Sequence, residues 1–261
     1  MSKPRVVDVF LFNDEFDMLQ LRLDELKPQV DEFVLVEASF TFSGLEKPCL
    51  FQERAHEFAN YPITALSVPN PGWPPTTSPW SREGYCRNYA SAYLQKTCGD
   101  TDIIMLSDLD EIPDFRSLDL ASLTLPTFLV MDMFYYNFNC YFEKERWKGT
   151  VLFNKAALQR SSLVSLRMDK YSQAPKFPTI QCGWHLSYFM TPQKIADKLR
   201  DFSHQEYNND KYNQLDYIRE CIDNKASIFN KDPKRPKDFG TVYTGQLPRT
   251  YDQFPDFMKA N

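Results

Sequence analysis

Four carboxylates fall within seven residues in the stretch "DIIMLSDLDEIPDF", Asp102 to Phe115: Asp108, Asp110, Glu111 and Asp114. The run before them, Ile103 to Leu106, is short and apolar, as expected of a central strand in a parallel sheet covered on both faces. The acids then stand at the strand's carboxyl end, where open α/β sheets hold their ligands. If the chain is still extended there, side chains two apart point the same way, so Asp108 and Asp110 converge on one point. Two converging carboxylates repel each other unless a hard divalent cation sits between them. Mg²⁺ or Mn²⁺ prefers oxygen ligands and keeps positions open for phosphate. The chemistry suggested is therefore a metal ion with a phosphorylated ligand. A lone D-x-D equally fits a solvated acidic turn closed by Pro113, so the rest of the chain has to decide.

The elements that would position these acids form an α/β pattern. "RVVDVFLF" (Arg5 to Phe12) reads as a first strand, followed by a helix capped by Asn13 or Asp14, with Phe16, Leu19, Leu23 and Leu26 at helical spacing. A second strand, Phe33 to Val36 with Glu37 at its tip, completes a βαβ unit. Phe51 to Asn60 reads as a helix and Ile63 to Val68 as a third strand. The Pro-rich stretch Pro69 to Pro79 is too stiff for either and becomes a loop over the ligand edge, with Trp73 offering a ring face or filling a surface groove. One long helix, Trp80 to Lys96, leads into the acidic strand. Beyond it, Thr127 to Asn139, Gly149 to Asn154 and Gly183 to Phe189 read as strands. Helices follow from Thr191 or Pro192, and over Asp210 to Asn224. The first half implies a mostly parallel central sheet flanked by helices, and the second half is mixed.

The 261 residues suit one elaborated domain rather than two. A hydrophobic share of 43%, with 15% aromatic, is ample for a core and for recognising a ring-shaped ligand. The net charge of −5 argues against a nucleic-acid partner, which needs a basic face. The short basic stretch Lys231 to Asp238 is a solvated loop or a flap over an anionic ligand. Six scattered cysteines without a C-x-x-C pair imply free thiols and a reducing compartment. With no apolar run of the roughly 18 residues that span a bilayer, a cytoplasmic location without signal or anchor is the expectation.

With these residues in hand, the sequence resembles glycosyltransferase family 17 over nearly its whole length. The resemblance rests on "FNDEFDMLQLRLDEL" (Phe12 to Leu26), "VDEFVLVEASFTFSGLEKP" (Val30 to Pro48), "DIIMLSDLDEIP", "GWHLSYFMTPQKIADKL" (Gly183 to Leu199) and "YDQFPDF" (Tyr251 to Phe257). It implies a GT-A-type catalytic domain over 1–261, with a nucleotide-binding half, 1–113, and an acceptor-side half, 114–261. It further implies an inverting transferase that moves a sugar, N-acetylglucosamine from UDP-GlcNAc first among the candidates, to a hydroxyl of a glycan or glycoconjugate. Mn²⁺ or Mg²⁺ would sit at the D-x-D. Animal members are anchored in the Golgi, and the expectation that this chain carries no anchor leaves the acceptor open.

The resemblance also distributes roles. Asp108 and Asp110 would carry the metal, with His185 of "GWH" as third ligand; a satisfied core histidine is the alternative, and His204 and His56 are lesser candidates. Glu37 would accept the uracil N3 hydrogen, since a carboxylate accepts and cannot donate. Arg82 and Arg87 would bond the uracil or the diphosphate with paired donors, although Glu83 and Arg87 at i, i+4 could simply pair on a helix surface. Lys198, and less so Arg200, would face the leaving phosphate. Glu111 is the catalytic candidate beside the metal pair, or a brace for the turn; Glu143 and Glu145 match no family motif, so the base stays open. Arg22 and Glu25 read as structural. Two other functions compete. A haloacid-type phosphohydrolase also places D-x-D at a strand tip but expects Gly and Thr where Glu111, Ile112 and Pro113 stand. A non-catalytic nucleotide-sugar or glycan binder on the same fold is the other.

Overall fold

The computed structural model describes residues 4–171, 177–229 and 239–258; the basic stretch Lys231 to Asp238 lies outside them. The chain starts with β1 (Val6–Phe12), α1 (Phe16–Leu26), β2 (Glu32–Ala38), α2 (Leu50–Arg54) and β3 (Ile63–Val68). Next come α3 (Pro79–Tyr89), α4 (Ser91–Thr97), β4 (Ile103–Asp108) and the short β5 (Glu111–Ile112). β6 (Thr127–Tyr135), β7 (Tyr141–Phe153), α5 (Lys155–Arg160), α6 (Leu163–Met168), β8 (Thr179–Ser187), α7 (Pro192–Asp201) and α8 (Leu215–Asp223) complete the order. The expected α/β class is the one observed, and among the described residues no helix is long and apolar enough to cross a membrane.

All eight strands share one sheet, in the order β3-β2-β1-β4-β7-β6-β8-β5. The first four are mutually parallel. β7 runs antiparallel to β4 and to β6, β8 parallel to β6, and β5 antiparallel to β8. Alternation along β1 sends Val6, Phe10 and Phe12 into the core under α1, and Val7 and Val9 into the core under α3 to α6. A third apolar cluster ties α7 and α8 to the end of β6.

The order of strands has a consequence for the acids. β4 and β5 are separated by two residues of chain but by three strands of sheet, so the second half has to curl back toward β4. Gly183, at φ 93°, lies at the β6–β8 irregularity. A Cβ there would stand 2.2 Å from the Ile112 carbonyl oxygen, so glycine permits the close approach of β5.

Several boundaries differ from those read in the sequence. The helix expected over Trp80 to Lys96 is two helices, α3 and α4, meeting at Ala90. Phe51 to Asn60 is a single α turn and a 3₁₀ turn. Gly149 to Asn154 is the end of the 13-residue β7. α1 is preceded by Glu15 without a side-chain cap, not by a capping Asn13 or Asp14.

Candidate active site

β4 ends at Asp108 and the next two residues form a turn. The alternation that would make Asp108 and Asp110 converge therefore stops between them, and each acquires its own partners. The turn is braced from below by Arg22, which is fully buried and paired with Asp8 at 2.7 Å. Arg22 Nη1 donates to the carbonyl oxygens of Asp108 (3.1 Å), Leu109 (3.1 Å) and Glu111 (2.6 Å). Arg22 is therefore structural in a specific way, since its one guanidinium satisfies three turn carbonyls that would otherwise be buried without donors. Glu25, also buried, holds the Arg249 amide and lies near Arg116, away from the acids.

Asp108 is held by two arginines, Arg87 on Oδ1 and Arg167 on Oδ2. Burial works to raise its pKa, but Arg167 and Arg87 outweigh burial and hold it well below the usual carboxylate range. Arg87 also takes Glu83, at 2.8 Å. Glu83 accepts from Ser203 as well, so the i, i+4 pair is one link in a buried chain and not a surface pair.

Glu111 has no exposed surface. Its carboxylate accepts from Arg167 Nη1 (3.0 Å) and Nη2 (2.7 Å), Trp147 Nε1 (2.5 Å), Thr150 Oγ1 (3.0 Å) and the Asp108 amide (3.1 Å). Gly149 makes room for this nest: a Cβ there would lie 1.9 Å from Glu111 Oε1. The candidate catalytic role of Glu111 is corrected accordingly. Both oxygens are consumed inside the protein, and the residue braces the turn.

Asp110 takes its partners from β8 and α7. The β5–β8 pairing sets Glu111 opposite His185, and the Leu186 amide donates to the Asp110 carbonyl at 2.8 Å. These contacts bring His185 Nε2 to 3.4 Å from Asp110 Oδ1. Lys198 Nζ, from α7, stands 3.5 Å from Asp110 Oδ2 and 3.3 Å from Glu15. Burial raises the Asp110 pKa, but Lys198 and His185 prevail and draw it down to about 2. The Lys198 ammonium is in turn strengthened by Asp110 and Glu15 against the opposing effect of burial. The His185 ring lies flat on Trp147, centroids 4.4 Å apart, and its Nδ1 meets Met133 Sδ at 3.1 Å.

The donor set was expected to be Asp108, Asp110 and His185. Among the described residues no three His, Cys, Asp or Glu side chains are grouped as a metal ligand set. Asp108 is the member that does not fit, because each of its oxygens carries an arginine. Asp110 and His185 do fit: a loosely held carboxylate oxygen and an imidazole nitrogen face each other. That pair suits a divalent ion whose remaining positions go to phosphate oxygens and water.

Other candidates fall elsewhere. Glu37 is buried and accepts from the amides of Leu50 (2.7 Å) and Phe51 (3.0 Å) and from Lys47 (3.5 Å), so its carboxylate is engaged at the start of α2. Arg82 is buried, donates to the Phe42 carbonyl at 3.1 Å, and shares no partner with the acids. Arg200 pairs with Asp197 and His204 with Glu206 in exposed positions; His56 and Glu143 are exposed too. Glu145 is half-buried on β7.

Sequence reasoning missed three residues. Arg167 is the central cation of the cluster, and Trp147 separates Glu111 and Lys170 from His185. Lys170 holds its ammonium over the rings of Trp147 (4.5 Å) and Tyr171 (4.9 Å). Burial, reinforced by Arg167, lowers its pKa to about 8. The signal available was electrostatic: an apolar strand ending in "SDLDE" needs buried cations from elsewhere in the chain.

The chain is 27% identical, over 260 residues, to the β-1,4-mannosyl-glycoprotein 4-β-N-acetylglucosaminyltransferases of Rattus norvegicus and Homo sapiens. The alignments cover 84% of this chain, 47% of the rat protein and 48% of the human one, so the chain spans about half the length of these relatives. Among solved structures, Rv0371c from Mycobacterium tuberculosis H37Rv is similar at a TM-score of 0.38 and 12% identity, over 72% of this chain and 92% of that one. The same protein in complex with manganese gives 0.38 and 11%, a likeness too distant to speak to chemistry. The family model for glycosyltransferase family 17 matches residues 1–243, and with that match over most of its length the chain belongs to glycosyltransferase family 17.

Proposed function

We propose that the protein is an inverting, divalent-metal-dependent glycosyltransferase of GT-A type. It would transfer a sugar, N-acetylglucosamine by analogy with the named activity of its relatives, from a UDP-sugar to a hydroxyl of a glycan or glycoconjugate. The observation that carries this reading is the meeting of Asp110, His185 and Lys198 at the carboxyl end of β4. Residues 1–113 would form the nucleotide-binding half and 114–261 the acceptor-side half. A reducing, cytoplasmic setting belongs to the same proposal, supported by six free thiols.

Asp110 and His185 would hold Mn²⁺ or Mg²⁺, which when bound supplies Lewis-acid charge to the departing diphosphate. Lys198 reaches the same point from α7, and Lys170 adds a second ammonium beside Trp147. Arg87 and Arg167 act through Asp108, whose carboxylate they fix at the end of β4. During transfer the sugar–phosphate bond breaks, the acceptor oxygen bonds to the anomeric carbon from the opposite face, and the acceptor proton goes to a carboxylate. That carboxylate is not Glu111, whose oxygens are already occupied. UDP release from a panel of UDP-sugars, with and without Mn²⁺, tests the proposal. Metal-dependent release from one donor supports it, and silence across the panel, while UDP still raises the melting temperature, would favour a non-catalytic binder.

A further inference from the structure

Arg82 is 4% exposed, yet among the described residues no carboxylate pairs with it. Among the described residues its one protein acceptor is the Phe42 carbonyl, and its Nε is buried without a partner. The other buried arginines of the β4 edge are handled differently: Arg22, Arg87 and Arg167 each hold an aspartate. A buried guanidinium without a counter-ion is costly, and a protein that retains one commonly meets it with a ligand. Close by, Trp73 Nε1 is a second buried N–H donor without a partner.

Both residues line a cavity of about 220 Å³ between the loop after β2 and the loop after β3, together with Ser43, Gly44, Leu45 and Asn70. Gly44 has φ 105°, and a Cβ on it would stand 2.9 Å from Arg82 Nη2, so the loop closes against the guanidinium only with glycine there. The cavity is tied to the elements of the candidate active site. Arg87 lies five residues further along α3, about 7.5 Å by helical rise. The Ser43 amide donates to the carbonyl of Asp201, at the end of the helix that carries Lys198.

We propose that this cavity is an oxyanion site, in which Arg82, assisted by the Trp73 indole N–H, binds a phosphate or carboxylate group of a substrate. A fixed positive charge whose guanidinium meets one backbone carbonyl and no carboxylate, beside an unpartnered indole N–H, selects an acceptor-rich anion. The binding site stands without the transferase reading. That reading bears on the source of the anion alone, which is either the nucleotide donor or an anionic acceptor.

The experiment is titration of the whole chain with inorganic phosphate, followed by calorimetry and by melting temperature, on wild type, Arg82→Met, Trp73→Phe and Asp110→Asn. The expected result is saturable binding to wild type and Asp110→Asn. Affinity should fall about tenfold or more in Arg82→Met, as for loss of a charge-assisted hydrogen bond, and about threefold in Trp73→Phe. Without phosphate, Arg82→Met should melt at or above wild type, because it removes an uncompensated buried charge. Undiminished binding in Arg82→Met would overturn the proposal. Loss of binding in Asp110→Asn would also overturn it, by placing the phosphate at the Asp110 cluster. So would absence of binding to wild type, or an Arg82→Met chain that no longer folds, which would make the guanidinium structural. Competition between UMP and phosphate assigns the anion to the donor nucleotide, and independent binding assigns it to the acceptor; both outcomes support the site.

Discussion

Replacing Glu111 by Gln separates a brace from a base. The carboxylate is fully buried and accepts five hydrogen bonds, two of them from Arg167. A glutamine offers one acceptor oxygen, and its amide group would face the N–H donors of Arg167 and Trp147. Breaking a buried ion pair costs about 3 to 5 kcal/mol. Arg167 retains Asp108, so the loss should fall near about 3 kcal/mol, the lower end of that range. For a chain of this size that is a drop of roughly 6 to 12 °C in melting temperature. Asp110→Asn provides the contrast. The contacts of Asp110 with His185 and Lys198 are long, at 3.4 and 3.5 Å, and their loss should cost about 2 kcal/mol, the linkage value of a pKa drawn from 3.8 to about 2, while abolishing turnover. The assay is thermal melting of both variants beside turnover well below the melting range. A Glu111→Gln protein that melts with wild type and yet has no activity would refute the reasoning and return Glu111 to the role of base.

Glu37→Gln should lower stability by about 1 to 2 kcal/mol, by weakening the start of α2, and leave the KM for the donor unchanged; a large rise in KM would restore the uracil contact. Lys170, with its pKa near 8, loses its charge as pH rises through that value. Donor affinity of wild type should therefore fall above about pH 8, and Lys170→Met should weaken donor binding at pH 7 and flatten that limb, read from KM against pH. Asp110 has its pKa drawn from 3.8 to about 2, so its contribution to stability is full above pH 4 and is lost as pH falls toward 2. Asp110→Asn should show a shallower decline of melting temperature in that acid window.

The parallel half of the fold was legible because its signals are local. Val6 to Phe12 and Ile103 to Leu106 are apolar runs of strand length, and Leu19, Leu23 and Leu26 keep helical spacing under the sheet. The acids at the carboxyl end of β4 and His185 in "GWH" were legible for the same reason, as chemistry-bearing residues in a short context. What failed depends on long-range pairing. Asp108 and Asp110 converge only if the strand continues through both, and Asp110 instead sits in a turn fixed by Arg22 from α1 and by β8. Glu37 stands at a strand tip as expected, and only the path of the next segment shows that two α2 amides occupy it. Arg167 enters from a six-residue helix 56 positions beyond Glu111, with no periodicity to announce it. The break at Ala90 is invisible to propensity because every residue around it tolerates a helix.

The central claim is that Asp110 and His185 form the metal-assisted diphosphate site. Calorimetric titration of UDP into wild type, Asp110→Asn and His185→Gln, each with and without Mn²⁺, tests it most directly. The account predicts binding to wild type that tightens at least about tenfold with Mn²⁺, and no such enhancement in either variant, each still folded. Binding of UDP that is indifferent to Mn²⁺, or an enhancement that survives both substitutions, would contradict it.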